Sequence, residues 1–262
     1  MWITLLWSGW TFVFASADTA LKDTIASGPI SLAERFYFVG YSLFTMGNGD
    51  FAPRGELWQV LTALMTASGM LLVTLSITYV LSVLEAVTQK RSFARNVSGL
   101  GPDGGSIVAA TWNGDGFEDV ALPLNSITTA LNKLTANHKA YPILHYFYTD
   151  EREAAAVLSV ASLDDALTIW QRATPEENRP ADSIMVDARS SVQSYLDTVS
   201  TFAPPSDEQP PPPDLTVLRE HDIPTVSDEE FADALEELKE RRRTMRGIIR
   251  ADARQWPSAE EE

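Results

Sequence analysis

Between Leu57 and Val87 the chain reads LWQVLTALMTASGMLLVTLSITYVLSVLEAV, with no proline and a single charge, Glu85. A helix needs about 20 largely apolar residues to cross about 30 Å of hydrocarbon, so this stretch can span with tilt or run on past the membrane. Lys90, Arg91 and Arg95 follow it, which puts its C-terminal end in the cytoplasm by the positive-inside rule. Ala63, Ser68, Gly69, Thr74, Ser76 and Thr78 are small or hydroxylated and allow close helix approach or line a wet surface. Gly69, near the middle, is a candidate hinge and equally a candidate point of close helix contact.

A second apolar stretch, Trp2–Ala17 (WITLLWSGWTFVFASA), precedes it. At 1.5 Å per residue it reaches about 24 Å, slightly short of the hydrocarbon thickness. Ala15-Ser16-Ala17 resembles a signal-peptidase site, but the basic n-region is missing and three tryptophans intervene, which favours a true first span whose start is clipped. Charge separates this front from the rest. Residues 1–91 hold 5 Lys/Arg and 6 Asp/Glu, whereas residues 92–262 hold 15 and 30. The acidic remainder argues against a nucleic-acid partner, because phosphates would be repelled. The chain has no cysteine, which excludes disulfides and thiolate metal sites.

Between the two stretches, Ala17–Ile30 is polar and suits an external loop with a Gly28-Pro29 turn. Ser31 then caps an apolar run, and Glu34 completes a capping box. The run SLAERFYFVGYSLF (31–44) is too short to span; followed by the glycine-rich TMGNGD it reads as a re-entrant segment. Non-helical backbone at membrane depth is tolerated where it is buried in protein or lines water, and cations can satisfy its carbonyls.

Span, short helix, T-x-G-x-G-D, proline and span together resemble the pore domain of the two-transmembrane potassium-channel-like family, in a prokaryotic branch with an acidic helical cytoplasmic region. The resemblance covers residues 1–91. It implies a homotetramer in the lipid bilayer, each chain giving one strand of a selectivity filter, with potassium as the permeant ion and no other cofactor. Thr45 would offer its carbonyl and hydroxyl at the inner end. Met46, Gly47 and Asn48 would offer carbonyls along the axis, and Asp50 would stand at the outer mouth. Glycines at 47 and 49 permit the left-handed angles that bring successive carbonyls to one side. The usual filter of the family reads TVGYGD. Asn48 replaces its tyrosine and Met46 its valine, which leaves a non-selective sodium and potassium channel as one alternative. A non-conducting, membrane-anchored signalling or adaptor protein is another. Phe36, Tyr37, Phe38, Tyr41, Phe44 and Phe51 are available to brace the filter in the tyrosine's place.

The fold expected is an all-α membrane protein: a pore domain over 1–91 (spans 2–17 and 57–87, pore helix 31–44, filter 45–50), then an all-α cytoplasmic domain over 106–202. A flexible break at Gly99–Gly105 separates them. Leu124, Ile127, Leu131 and Leu134 recur at helical spacing. Ala154–Leu158, Leu163–Trp170 and Ile184–Phe202 read as further helices, the last with Val186, Val192, Tyr195, Leu196 and Val199 on its apolar side. Residues 203–226 form a linker that opens on the extended APPSDEQPPPPD. Residues 227–255 form an amphipathic helix whose seam of Phe231, Leu235, Leu238, Arg242, Met245 and Ile249 suits either a short bundle between subunits or packing on its own domain. Asn113, Asp115 and Asp119 mimic part of a calcium loop, but position 12 is Leu124 rather than a bidentate acid, so a surface turn is the better reading. His138 and His145 are read as packed among aromatics rather than as metal ligands. No phosphate loop, nucleophile motif or triad is present, and no motif declares a gating ligand.

Overall fold

The computed structural model describes residues 1–26 and 28–257; Ser27, within the expected external loop, and residues 258–262 lie outside the described residues. The chain divides into two compact units, Met1–Ser82 and Val83–Glu262. Both are predominantly helical.

The first unit contains α1 (Trp2–Ala15), β1 (Leu21–Asp23), α2 (Leu32–Leu43), β2 (Phe51–Pro53) and the front of α3 (Glu56–Ser98). The capping box starts α2: Ser31 accepts the Glu34 amide, and Glu34 accepts the Ser31 amide at 2.6 Å. Phe14, Phe38, Val39, Tyr41, Leu43 and Met65 form the core between the three helices. Small residues set how closely those helices approach. A Cβ on Gly40 would overlap the Trp7 indole, and one on Gly69 would overlap the Leu43 carbonyl. Trp7 stacks on Phe36 with centroids 4.4 Å apart, and Trp10 donates to Ser68 Oγ at 3.0 Å. Arg35 is buried and donates from α2 to the Phe14 and Ala17 carbonyls at the end of α1. There the unpaired carbonyls carry partial negative charge.

Two features depart from the sequence reading. β1 and β2 form an antiparallel pair with register Leu21↔Pro53, Lys22↔Ala52 and Asp23↔Phe51, so the unit is not purely helical. Three residues per strand are too few for an alternating pattern to stand out. At Gly69, α3 runs through without a break, and close approach to Leu43 accounts for the glycine. Among the described residues, α3 is the one helix long and apolar enough to cross a membrane; α1 is apolar but has 14 residues.

In the second unit, α4 (Gly104–Ala110), α5 (Ala121–Ala140), α6 (Ala156–Thr168), α7 (Asp182–Val199), α8 (Thr216–Glu220), α9 (Asp228–Glu237) and α10 (Lys239–Ala251) enclose one core. The end of α3 supplies Phe93, Ala94 and Val97 to it. The α5 positions 124, 127, 131 and 134 are buried as expected. Helix α6 is buried at every position and continues as a π-helical turn, Ile169–Ala173. It replaces the two helices expected there. The polar residues that interrupt its apolar pattern are satisfied inside: Ser159 donates to the Ala94 carbonyl and Ser162 to the Pro102 carbonyl.

The rest of this unit corrects the sequence reading in four places. Gly104 and Gly105 lie buried in α4 rather than in a flexible break, and a Cβ on Gly104 would press on Asp165. Val186 is exposed, whereas Met185 and Ala188 join the buried side of α7. The proline-rich segment is a packed strap, not a free spacer. The Ser206 amide donates to the Arg243 carbonyl at 3.0 Å, and Arg243 Nε returns a bond to the Ser206 carbonyl at 2.8 Å. Arg242 reaches the Pro211 carbonyl at 2.7 Å. The expected C-terminal helix is broken at Leu238 into α9 and α10, and Phe231, Leu235, Met245 and Ile249 of its seam are buried in the unit's own core. Those seam residues pack on the chain's own domain, the second of the two arrangements the sequence allows.

Candidate functional site

The loop from Thr45 to Asp50 leaves α2 abruptly. The Phe44 amide still bonds the Gly40 carbonyl, the Thr45 amide turns to Ser42 at 3.1 Å, and the Met46 amide reaches back to Tyr41 at 2.7 Å. Thr45, Gly47 and Gly49 then have φ of 59°, 64° and 84°. Every second residue is left-handed, which breaks the regular alternation of a strand. Glycine takes this conformation freely, whereas Thr45 bears a cost of about 1–2 kcal/mol. Residues 44–49 are exposed within the single chain, and Met46 is 65% accessible.

Hydrogen bonds anchor the outer half of this loop. The Asn48 side chain donates from Nδ2 to the Tyr37 hydroxyl, which in turn donates to the Asp50 carboxylate at 3.1 Å. Tyr41 stands beside Tyr37, ring edge to face at 5.1 Å, and donates to the Phe51 carbonyl at 2.8 Å. So Asn48, Tyr37 and Asp50 form one chain of bonds between the loop and α2. On the other side, the β1–β2 pair brings Thr24 against the loop: its amide donates to the Asp50 carbonyl at 2.9 Å, and its hydroxyl lies 2.7 Å from the Gly49 carbonyl. Tyr37 stood among the aromatics visible in the sequence. Thr24 carried no signal there, because its role depends on the β1–β2 register.

The remaining sequence candidates are not brought together into a site. Asn113 Oδ1 accepts the Asp115 and Gly116 amides at 3.0 and 2.8 Å, and its Nδ2 donates to Glu118. The loop is thus a turn that spends its own oxygen ligand. No group of three His, Asp or Glu able to hold a metal occurs among the described residues. His138 is buried, with its ring edge-on to Tyr195. Burial, and secondarily Lys90, lower its pKa to about 4, so it is neutral at physiological pH. His145 stacks on Phe202 at 4.5 Å.

The charged cluster of the second unit was not foreseen. Asp164 and Asp165 are adjacent on α6 and both are buried. Asp164 pairs with Arg189 at 2.6 Å and Arg241 at 2.7 Å. Burial opposes its charge, but the two guanidiniums outweigh burial and hold its pKa below the ordinary value. Asp165 pairs with Arg242 and accepts from the Trp256 indole at 3.0 Å. Burial raises its pKa to about 6 against the pull of Arg242. Arg242 also lies over the Trp256 ring, 5.3 Å from its centroid. These groups satisfy one another.

Comparison with known proteins places these observations. Residues 1–86 match a family model described as Ion channel. Over all 262 residues the chain is 45% identical to a protein of Bacillus subtilis (strain 168) named uncharacterized membrane protein YdjJ, covering 77% of that protein. No solved structure matches. A family of ion channels is a family of conduits rather than of enzymes, and the lack of a catalytic constellation in the sequence accords with it. The chain belongs to the same family as that membrane protein, and within it residues 1–86 match the ion-channel family model.

Proposed function

We propose that this protein is a homotetrameric, multi-pass cation channel of a prokaryotic cell membrane. It conducts potassium through a filter formed by Thr45, Met46, Gly47, Asn48, Gly49 and Asp50. The observation that carries the reading is the repeated left-handed backbone at Thr45, Gly47 and Gly49. Rings of backbone carbonyls can replace a cation's hydration shell, and one loop supplies only one strand of such a ring. Four chains around an axis would complete it. The helix Trp2–Ala15 and the apolar front of the long helix, residues 57–87, are the two spans of this arrangement, with Leu32–Leu43 as the pore helix between them. The C-terminal end of that helix points its partial negative charge at the permeating ion. Lys90, Arg91 and Arg95, which follow the second span, support a cytoplasmic position for the acidic second unit.

A specific observation keeps non-selective sodium and potassium conduction as the second reading: Asn48 stands at the position of the aromatic side chain of the usual filter. Its bond to Tyr37, and through Tyr37 to Asp50, supplies a substitute brace and favours potassium. The test is flux from purified protein in liposomes under opposed potassium and sodium gradients. Reversal near the potassium potential, abolished by Gly47→Ala, is the expected result. Reversal near zero that moves towards potassium in Asn48→Tyr makes the channel non-selective. A protein of native mass other than four chains, with no flux in any condition, makes it a membrane-anchored adaptor.

A further inference from the structure

Thr24 lies outside the filter motif, in the loop after α1, yet makes more bonds to the motif than any other loop residue among those described. The ladder fixes its position: Asp23 pairs with Phe51, which sets Thr24 opposite Asp50. Asp23 ends the strand by accepting the Ile25 and Ala26 amides, both at 2.8 Å, so the loop turns away just beyond Thr24. The Thr24 hydroxyl has two oxygens in range, Gly49 at 2.7 Å and Asp50 at 2.8 Å, but a single proton to give. The Asp50 carbonyl already receives the Thr24 amide. Gly49 is the nearer oxygen and takes no other donor among the described residues, so it is the better acceptor for the hydroxyl proton. An oxygen committed to a hydroxyl donor has less electron density to offer a cation. In a ring of four chains, the Gly49 carbonyls are the outermost oxygens of the loop.

We propose that Thr24 is a positioning residue for ion conduction: its hydroxyl takes the Gly49 carbonyl, withdraws the outermost ring of oxygens from the ion path, and leaves the Asn48 carbonyl as the first site a cation meets from outside. The inference rests on the reading of residues 45–50 as a filter. It identifies an external-loop side chain as the element that sets the number of ion sites.

The test compares Thr24→Val, which keeps the branched shape and removes the donor, with Thr24→Ser, which keeps the donor. The readout is the external potassium concentration that half-saturates the inward single-channel current. Freed Gly49 oxygens should bind the entering ion, so this concentration should fall about three- to tenfold in Thr24→Val, the range that one net hydrogen bond commands. Thr24→Ser should stay within about twofold of wild type, the smaller span of an intact bond. Thr24→Ala, which also lacks the donor, should follow Thr24→Val. A loss of packing alone would weaken or abolish current and would not tighten ion entry. Unchanged or raised half-saturation in both donor-less variants overturns the proposal, as does equal change in Thr24→Ser, and as do assembled tetramers of those variants that carry no current. Gly47→Ala separates the two levels of the argument. If it conducts like wild type, the filter reading itself fails. If it is silent while Thr24→Val matches wild type, only the role of Thr24 fails.

Discussion

Gly69 shows what single-residue identity decides in the first unit. The sequence left it as either a bend or a point of contact, since glycine serves both. α3 is continuous there, and a methyl group would occupy the place of the Leu43 carbonyl oxygen. The residue thus keeps the start of the long helix against the end of α2, just where the filter loop begins. Gly69→Ala should destabilise the protein by about 1–3 kcal/mol, as overpacking does, and should lower its melting temperature in detergent. Gly9→Ala is the control, because nothing lies within 4 Å of its added Cβ. A Gly69→Ala protein that melts with wild type would mean that α2 and α3 are free to separate at this point. The loop at 45–50 was legible in the sequence because glycine spacing and a following acid are local signals. Its partners were less so. Tyr37 is eleven residues from Asn48 and Thr24 is twenty-five from Gly49, and neither separation follows from a helical or strand period.

Among the elements, α6 shows where periodicity fails. A helix buried on every side has no amphipathic stripe to read, and residues 159–162, with Ser159 and Ser162, were left as a gap between two expected helices. Its carboxylates are instead the link to its neighbours. Asp164 joins α6 to α7 through Arg189 and to α10 through Arg241, while Asp165 joins it to α10 through Arg242. The same α10 arginine row holds the proline-rich strap. Proline content predicted an extended, semi-rigid spacer; its attachment to α10 was not legible, because the arginines that bind its carbonyls come thirty or more residues later. Removing one partner of a buried ion pair leaves an uncompensated charge. Asp164→Ala should therefore cost about 3–5 kcal/mol, and chemical denaturation of the protein reads it directly. Replacing Asp164 together with Arg189 and Arg241 by apolar residues of similar volume should recover most of the loss. If Asp164→Ala is nearly neutral, the cluster is hydrated and open, and does not fasten α10 to α6.

For the whole molecule, the boundary between units falls inside a helix rather than in a linker. The ion-channel match ends at residue 86, and the second unit begins at Val83. Composition marked the change later, where the charged and then glycine-rich sequence follows Val87, since burial of a helix end against a soluble core leaves an apolar text just as a membrane does. Val83, Ala86 and Val87 pack with Leu144, and Lys90 donates to the Leu144 and Phe147 carbonyls at 3.2 and 3.1 Å. Burial lowers the Lys90 pKa, yet those two carbonyls are oriented to receive its ammonium. Further along, Phe93, Ala94 and Val97 are fully enclosed. A fragment that starts at Val83 keeps all these groups; a fragment that starts at Gly99 loses them and exposes the surfaces of α6 that they cover. Deleting three buried side chains and the helix that carries them removes more than the few kcal/mol by which a domain of this size is stable. The longer fragment should therefore melt cooperatively and resist trypsin, whereas the shorter one should show no cooperative transition by circular dichroism. If both fragments melt alike, the end of α3 is only a tether to the second unit. If they differ as expected, the last four turns of the long helix are part of the acidic unit's core.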